Sequence, residues 1–93
     1  MNFEWDRVKA DANLEKHGVS FEEAQAVFFD EQALLFEDPQ PLHEEDRFVL
    51  LGLSSSLRLL VVVHALRDRD VIRIISARKA TRLESREYEI RLR

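Results

Sequence analysis

The chain has no cysteine, and it has only two glycines and two prolines among its 93 residues. The absence of thiols excludes disulfide bonds and thiolate metal sites. Gly18 and Gly52 are far apart, so no glycine-rich loop can cradle nucleotide phosphates and ATP chemistry is not expected. The three histidines, at positions 17, 43 and 64, lack the spacing of a zinc motif. We therefore expect neither a metal nor another cofactor.

No segment has the character of a membrane span or an export signal. The longest apolar run, residues 59–63, is far too short to cross a bilayer. The N-terminus is acidic and lacks the apolar stretch that is typical of a signal peptide. We therefore expect a cytoplasmic protein that makes no membrane contact.

The length predicts a single domain over residues 1–93, because so short a chain has no room for a second core. The net charge of −4 conceals an asymmetry along the chain. Residues 1–57 carry 4 basic and 13 acidic side chains, a balance of −9, whereas residues 58–93 carry 10 and 5, a balance of +5. A surface that binds nucleic acid can therefore only be local, and it must be built mainly from the C-terminal third.

Helix signals dominate the first part of the chain. Asp6 is a suitable N-cap for a helix over Arg7–His17, and Gly18 can end that helix. Ser20 and Glu23 have the spacing of a capping box, which predicts a second helix.

Strand signals follow in four segments that are rich in β-branched, aromatic or other apolar residues, namely residues 33–36, 47–53, 58–65 and 71–75. Short turns join the last three segments, which indicates an antiparallel meander. Thr81 and Glu84 form a further capping box, which predicts a C-terminal helix. The expected fold is therefore α+β, with two N-terminal helices, an antiparallel sheet and a C-terminal helix.

The segment over residues 71–84 combines an apolar strand, a basic turn and the start of that last helix. Arg78 and Lys79 lie at the strand end, beside a helix N-terminus whose free N–H groups favour anions. Two cations in this place suit a phosphate group. A solvated basic turn is the alternative, and the segment alone does not decide between them.

Several motifs occur together, in order, along nearly the whole chain. They are Phe3-Glu4-Trp5-Asp6, Lys9, Asn13, Lys16-His17-Gly18, Ser20-Phe21-Glu22-Glu23-Ala24, Glu45-Asp46-Arg47, Gly52 and Arg73-Ile74-Ile75-Ser76-Ala77-Arg78-Lys79-Ala80. In this combination the chain closely resembles the BrnT family, the toxin halves of bacterial type II toxin–antitoxin pairs. The resemblance implies a small RelE-like fold and ribonuclease activity on an RNA substrate. It also implies a BrnA-like ribbon-helix-helix antitoxin as partner, with operator DNA reached only through the antitoxin.

RNA cleavage without a metal requires removal of a proton from the 2′-hydroxyl and stabilisation of a doubly charged phosphorane. Arginine suits the second task, because its planar fork pairs with two phosphate oxygens and keeps its charge. The candidates are Arg47, Arg73 and Arg78, which lie on or at the ends of predicted strands. His64 is the candidate for proton transfer, and Glu45 is a candidate general base.

These candidates also have structural interpretations. Arg73 interrupts an apolar run, so it either faces the active site or pairs with a buried carboxylate. Arg73 and His64 share a sheet face only if the hairpin pairs residues whose numbers sum to an odd value, such as 64 with 73. His64 can equally be a half-buried packing residue, and Glu45 can form an exposed ion pair with Arg47.

Four further basic residues are candidates for RNA binding, namely Lys16, His17, Lys79 and Arg82. His17 stands in the last turn of a predicted helix, where a histidine is often only a favourable partner of the helix dipole. Arg82 can equally be solvated or contact an antitoxin.

The sequence thus predicts an endoribonuclease toxin that cleaves RNA without a metal and arrests translation and growth. The alternative is a degenerate toxin without catalysis, which pairs with a ribbon-helix-helix antitoxin and assists operator binding. Incubation of the purified protein with RNA in EDTA separates the two, because only the enzyme cleaves the RNA.

Overall fold

The computed structural model of the protein describes residues 1–38 and 46–92. Its elements, in chain order, are β1 (Asn2–Glu4), α1 (Arg7–His17), α2 (Phe21–Ala26), β2 (Leu34–Glu37), β3 (Arg47–Leu53), β4 (Leu59–Arg67), β5 (Val71–Lys79) and α3 (Arg82–Arg91). A 3-10 turn over Val27–Phe29 follows α2. The predicted α+β class and its three helices are confirmed.

Side-chain caps explain where the helices begin. Asp6 accepts a hydrogen bond of 3.0 Å from the Lys9 amide at the start of α1, and Gly18 ends this helix with a φ of 68°. Ser20 caps α2 through the Glu23 amide. The predicted reciprocal contact from the Glu23 side chain is absent within the described residues, because its carboxylate binds Arg58 and two serines of the β3–β4 turn instead.

The five strands form one mixed sheet in the order β1-β5-β4-β3-β2. The predicted antiparallel meander is present in β3, β4 and β5, and β2 adds to it in the antiparallel sense. The sequence analysis did not predict β1, which pairs with β5 in parallel and makes the sheet mixed at this edge. Parallel pairing is possible there because the long intervening chain provides the crossover that parallel strands require.

β5 is longer than the predicted strand over residues 71–75, because its pairing with β4 continues as far as Lys79. Arg78 and Lys79 therefore belong to the end of a strand and not to a separate basic turn. The pairing shifts register between Val63 and His64, which marks a β-bulge. This shift changes which residues of β5 lie opposite β4.

Helices cover the two faces of the sheet unequally. α1 and α2 pack on one face, where Phe21, Leu60 and Val62 are completely buried. α3 packs on the other face, with Tyr88 buried against Leu51 and Val61. Since alternate residues of a strand point to opposite faces, β4 contributes Leu60 and Val62 to the first core and Val61 to the second. None of the helices in the described part of the chain is long and apolar enough to cross a membrane.

Candidate active site

Two of the three candidate arginines lie on either side of β4 and on the same face of the sheet. Arg47 of β3 and Arg73 of β5 both pair with Ala65, so the three residues form a transverse row on one face of the sheet, here called the arginine row. With strands spaced by about 4.8 Å, the two arginine backbones are about 10 Å apart. Ala65, which lies between the two arginines, is completely buried.

The arginine row lies on the same sheet face as α3, at the other end of the strands from the residues that pack against that helix. In β3, Arg47 alternates with Val49 and Leu51, and Leu51 packs against Tyr88 of α3. The row is therefore separate from the core that α1 and α2 form on the opposite face.

Arg73 pairs with a carboxylate that the sequence analysis did not propose for the site. Its Nη1 atom donates to Glu4 Oε2 at 3.1 Å, because β1 places Glu4 directly opposite Arg73. Arg67, at the end of β4, approaches the same Glu4 oxygen at 3.8 Å. The Arg73 side chain is 28% exposed. Since its Nε and Nη2 atoms donate to no described residue, Arg73 keeps donors available for a ligand.

Arg47 has no acidic partner among residues 1–38 and 46–92. Its Nε atom is buried and has no hydrogen-bond partner there. A buried donor without a partner is costly, so such a group in a folded protein calls for a water, an ion or a ligand. Arg47 is thus the candidate arginine whose charge the described residues leave uncompensated.

Arg78 lies on the same sheet face as Arg73 because of the β-bulge between them. Their partners in β4, Val61 and Ala65, are four residues apart, which separates the two arginines by about 13 Å along the strand. The Nη1 and Nη2 atoms of Arg78 donate to the two Glu84 oxygens at 2.8 and 2.9 Å. Glu84 also closes the Thr81 capping box at the start of α3. The hydrogen bonds from Arg78 lower the pKa of Glu84 to about 2, and those to Glu84 raise the pKa of Arg78. Arg78 therefore joins α3 to β5.

His64 lies on the opposite face of the sheet from the arginine row. It pairs with Ile74, whereas Arg73 pairs with Ala65, so the paired numbers sum to an even value. His64 is 4% exposed and packs edge-on against Phe28, with the two ring centroids 4.7 Å apart. Burial lowers the pKa of His64, which favours the neutral imidazole. The structure thus separates His64 from the candidate arginines.

The four candidates for RNA binding lie at the other end of the sheet from the arginine row. Lys16 and His17 end α1, whose C-terminal Gly18 accepts a hydrogen bond from Arg58 just before β4. Lys79 ends β5 and is exposed, and Arg82 is exposed in the first turn of α3. These residues are too far from the arginine row to contact the same phosphate, so they could bind only a more distant part of an RNA strand. Glu45 lies outside the described residues.

Glu4 and Arg67 are the site residues that sequence reasoning missed. Glu4 occurs in the Phe3-Glu4-Trp5-Asp6 motif, but a strand of three residues is too short to show an alternating pattern. Arg67 stands in a segment predicted as a turn, whereas the structure extends β4 to this residue. Within the part of the chain that the structure describes, no three histidine, aspartate or glutamate side chains converge so as to hold a metal ion.

The fold and the site together define a small α+β protein with an arginine-rich sheet face that suits a phosphate-bearing ligand. A family model described as the ribonuclease toxin, BrnT, of type II toxin–antitoxin systems matches residues 5–84. Because that match covers most of the chain, the protein belongs to the BrnT family of ribonuclease toxins, as the motifs predicted. Membership of a type II toxin–antitoxin family implies an antitoxin partner.

A solved structure supports the same fold. The crystal structure of the Brucella abortus ribonuclease toxin, BrnT, matches with a TM-score of 0.67 at 24% sequence identity, and the match covers 88% of this chain and 99% of that one. A search of curated proteins by sequence gives no match.

Proposed function

We propose that this protein is a metal-independent endoribonuclease that binds the scissile phosphate of RNA at the arginine row. The observation that carries the proposal is the placement of Arg47 and Arg73 on either side of Ala65. The family supplies the general activity, ribonuclease toxin. The absence of a metal from the mechanism, the choice of residues and the arrest of translation and growth in the cytoplasm are our proposals.

In the proposed mechanism, the 2′-hydroxyl of the RNA attacks the adjacent phosphorus and forms a phosphorane with two negative charges. Two guanidinium groups stabilise that charge without proton transfer, because arginine remains protonated at any working pH. Arg47 supplies a charge that no acidic side chain within residues 1–38 and 46–92 compensates, and Arg73 supplies the donors that Glu4 leaves unused. The chemistry proposed here does not use His64, which packs in the core on the other face.

The remaining candidates are assigned to binding further along the RNA. Arg78 keeps its contact with Glu84 and offers the remaining N–H groups of its guanidinium to the RNA strand. Arg82 then contacts a phosphate beyond the scissile one. Lys16, His17 and Lys79 lie towards the face that α1 covers, so they contact phosphates only where the RNA continues past the end of the sheet. Contacts of this kind add affinity that decreases with salt and carry no sequence preference of their own.

For the partner, we propose a BrnA-like ribbon-helix-helix antitoxin that also carries the toxin to operator DNA. The C-terminal third, with its balance of +5, invites an acidic antitoxin segment. In that arrangement the antitoxin covers part of the surface that RNA would use, which is how it would block cleavage.

The proposal is tested by incubating the purified protein with RNA in EDTA, beside Arg47→Ala, Arg73→Lys and the control Arg91→Ala. We expect cleavage by the unaltered protein and by the control, whose arginine is exposed in the last turn of α3. Arg73→Lys keeps the positive charge but loses the planar guanidinium that can donate to two phosphate oxygens at once. The rate of cleavage should therefore fall at least ~100-fold.

Two outcomes would contradict the proposal. Full activity of Arg47→Ala and Arg73→Lys would remove the phosphate site from the arginine row. Intact RNA at high protein concentration, from a protein that still binds its antitoxin, would favour the alternative of a non-catalytic binding module. Circular dichroism of each variant serves as the folding control.

A further inference from the structure

Cleavage at the arginine row requires a proton acceptor beside the phosphate site. The 2′-oxygen and the phosphorus it attacks are linked through the same ribose and are only a few bonds apart. The base that deprotonates this oxygen must therefore lie next to the arginine that holds the phosphate. His64 is on the other face of the sheet, so it cannot meet this requirement.

We propose that Glu4 is the general base of the ribonuclease reaction, an assignment that rests on the ribonuclease function proposed above. β1 places Glu4 opposite Arg73, and their side chains are in contact at 3.1 Å. A phosphate held by Arg73 thus lies beside the Glu4 carboxylate. The Glu4 side chain is 42% exposed, so an RNA strand can reach it.

The hydrogen bonds of Glu4 leave one of its oxygens available. Arg73 and Arg67 both approach Oε2, at 3.1 and 3.8 Å, whereas Oε1 accepts no hydrogen bond from a described residue. The two arginines thus hold the carboxylate in place through one oxygen. The other oxygen can accept the proton from the 2′-hydroxyl.

Among the described residues, the other carboxylate that pairs with a strand arginine is that of Glu84, and it is already engaged at both oxygens. Glu84 accepts from Arg78 through Oε1 and Oε2, and from the Thr81 amide as well. Its pKa, held at about 2 chiefly by Arg78, makes it a poor base. Glu84 also lies at the α3 end of the sheet, far from the arginine row.

The proposed step balances as a transesterification. Glu4 removes the proton of the 2′-hydroxyl, the 2′-oxygen forms a bond to phosphorus, and the bond from phosphorus to the 5′-oxygen breaks. The leaving 5′-oxygen takes a proton from a water molecule. The products are a 2′,3′-cyclic phosphate and a 5′-hydroxyl, and Glu4 returns its proton to solvent.

The test compares the unaltered protein with Glu4→Gln, Glu4→Ala and the control Glu31→Gln, using a short RNA in EDTA. Gln keeps the size of the side chain and an oxygen that can accept from Arg73, but it cannot take up a proton. We expect kcat to fall at least ~100-fold in Glu4→Gln while KM stays within about threefold. Glu31 is an exposed acid in the turn before β2, so its replacement should leave the rate unchanged.

Two readouts separate a base from a residue that only positions Arg73. The acid limb of the pH–rate profile should be present in the unaltered protein and absent in Glu4→Gln. Added acetate should restore part of the activity of Glu4→Ala and none of that of Arg73→Ala. A positioning role predicts instead a higher KM, an unchanged acid limb and no rescue by acetate.

The two proposals fail in different ways. An active Glu4→Gln with an unchanged pH profile would overturn the role of Glu4 alone and leave the ribonuclease function standing. An unaltered protein that cleaves no RNA would overturn the ribonuclease function and the base together. Thermal melts identify unfolding, and if Glu4→Gln fails to fold, acetate rescue of Glu4→Ala decides the question.

Discussion

Replacement of Arg78 by alanine should weaken the attachment of α3 to the sheet without unfolding the protein. Arg78 holds Glu84 with two hydrogen bonds, and Glu84 in turn completes the cap of α3. The variant therefore tests whether Arg78 stabilises the position of α3 or binds a phosphate of the RNA. If Arg78 binds a phosphate, as its position at the strand end suggested in the sequence, the variant should lose toxicity and keep its fold.

The size of the effect follows from the pKa of Glu84. Its fall from 4.5 to about 2 corresponds to about 3 kcal/mol if every part of the shift came from Arg78 in the folded state. The Thr81 amide contributes part of the shift, and the two side chains are 41% and 29% exposed, so solvent screens the pair. We expect Arg78→Ala to lower the free energy of unfolding by about 1–2 kcal/mol.

The pH dependence has a defined sign. Because the pKa of Glu84 is lower in the folded state, its ionised form stabilises the fold above about pH 4.5, and this stabilisation is lost as the pH falls towards 2. Urea unfolding at pH 7 and pH 3 should therefore show a smaller difference between the unaltered protein and Arg78→Ala at pH 3. The exposed Arg86→Ala serves as the control on the same helix.

Glu84→Gln separates structure from function. If Arg78 acts only through α3, Glu84→Gln should reproduce both the lost stability and any lost cleavage. If Arg78 contacts a phosphate, Glu84→Gln should unfold more easily and still cleave RNA. The substitution would release the Arg78 guanidinium, which would remain free to bind the phosphate. A double-mutant cycle with a coupling energy below about 0.5 kcal/mol at pH 7 would refute the reasoning about the pair.

Two further predictions concern buried packing and hydrogen bonding around the sheet. Gly52→Ala should lower the free energy of unfolding by about 1–3 kcal/mol in urea, because a Cβ atom there would lie 2.9 Å from Ala33 Cβ and 3.0 Å from Val27 Cγ1; an unchanged midpoint would contradict this. Asn13→Ala should cost about 2–3 kcal/mol, because the buried amide bonds the Val19 carbonyl and both backbone groups of Ala77. Asn13→Asp, which keeps the acceptor and loses the donors, is the matched comparison for thermal melts.

The helices could be predicted because their signals are local. Asp6 and Gly18 delimit α1, and Thr81 with Glu84 starts α3, each through contacts within a few residues of the chain. The meander could be predicted for the same reason, since short turns leave adjacent strands few other ways to pair. The class of fold thus follows from interactions that the sequence displays side by side.

The arrangement of the site depends on contacts that are distant in the chain. β1 has three residues and gains its partner only through pairing with β5, which brings Glu4 to Arg73 across 69 residues. The bulge at His64 changes the register of β4 and β5 by one residue. Because side chains alternate between the two faces of a strand, a shift of one residue decides on which face a side chain lies. Neither feature has a local signal.

The sequence presented three strand arginines as equivalent candidates, and the fold distinguishes them by the partners of their donors. Arg78 is held by a carboxylate six residues away, and Arg73 shares one donor with Glu4. Arg47 has no acidic partner within residues 1–38 and 46–92, and its Nε atom is buried. A charged side chain with a buried donor that no described residue satisfies is the one that a bound phosphate would stabilise most. Arg47 is therefore the arginine for which activity and stability should separate most clearly.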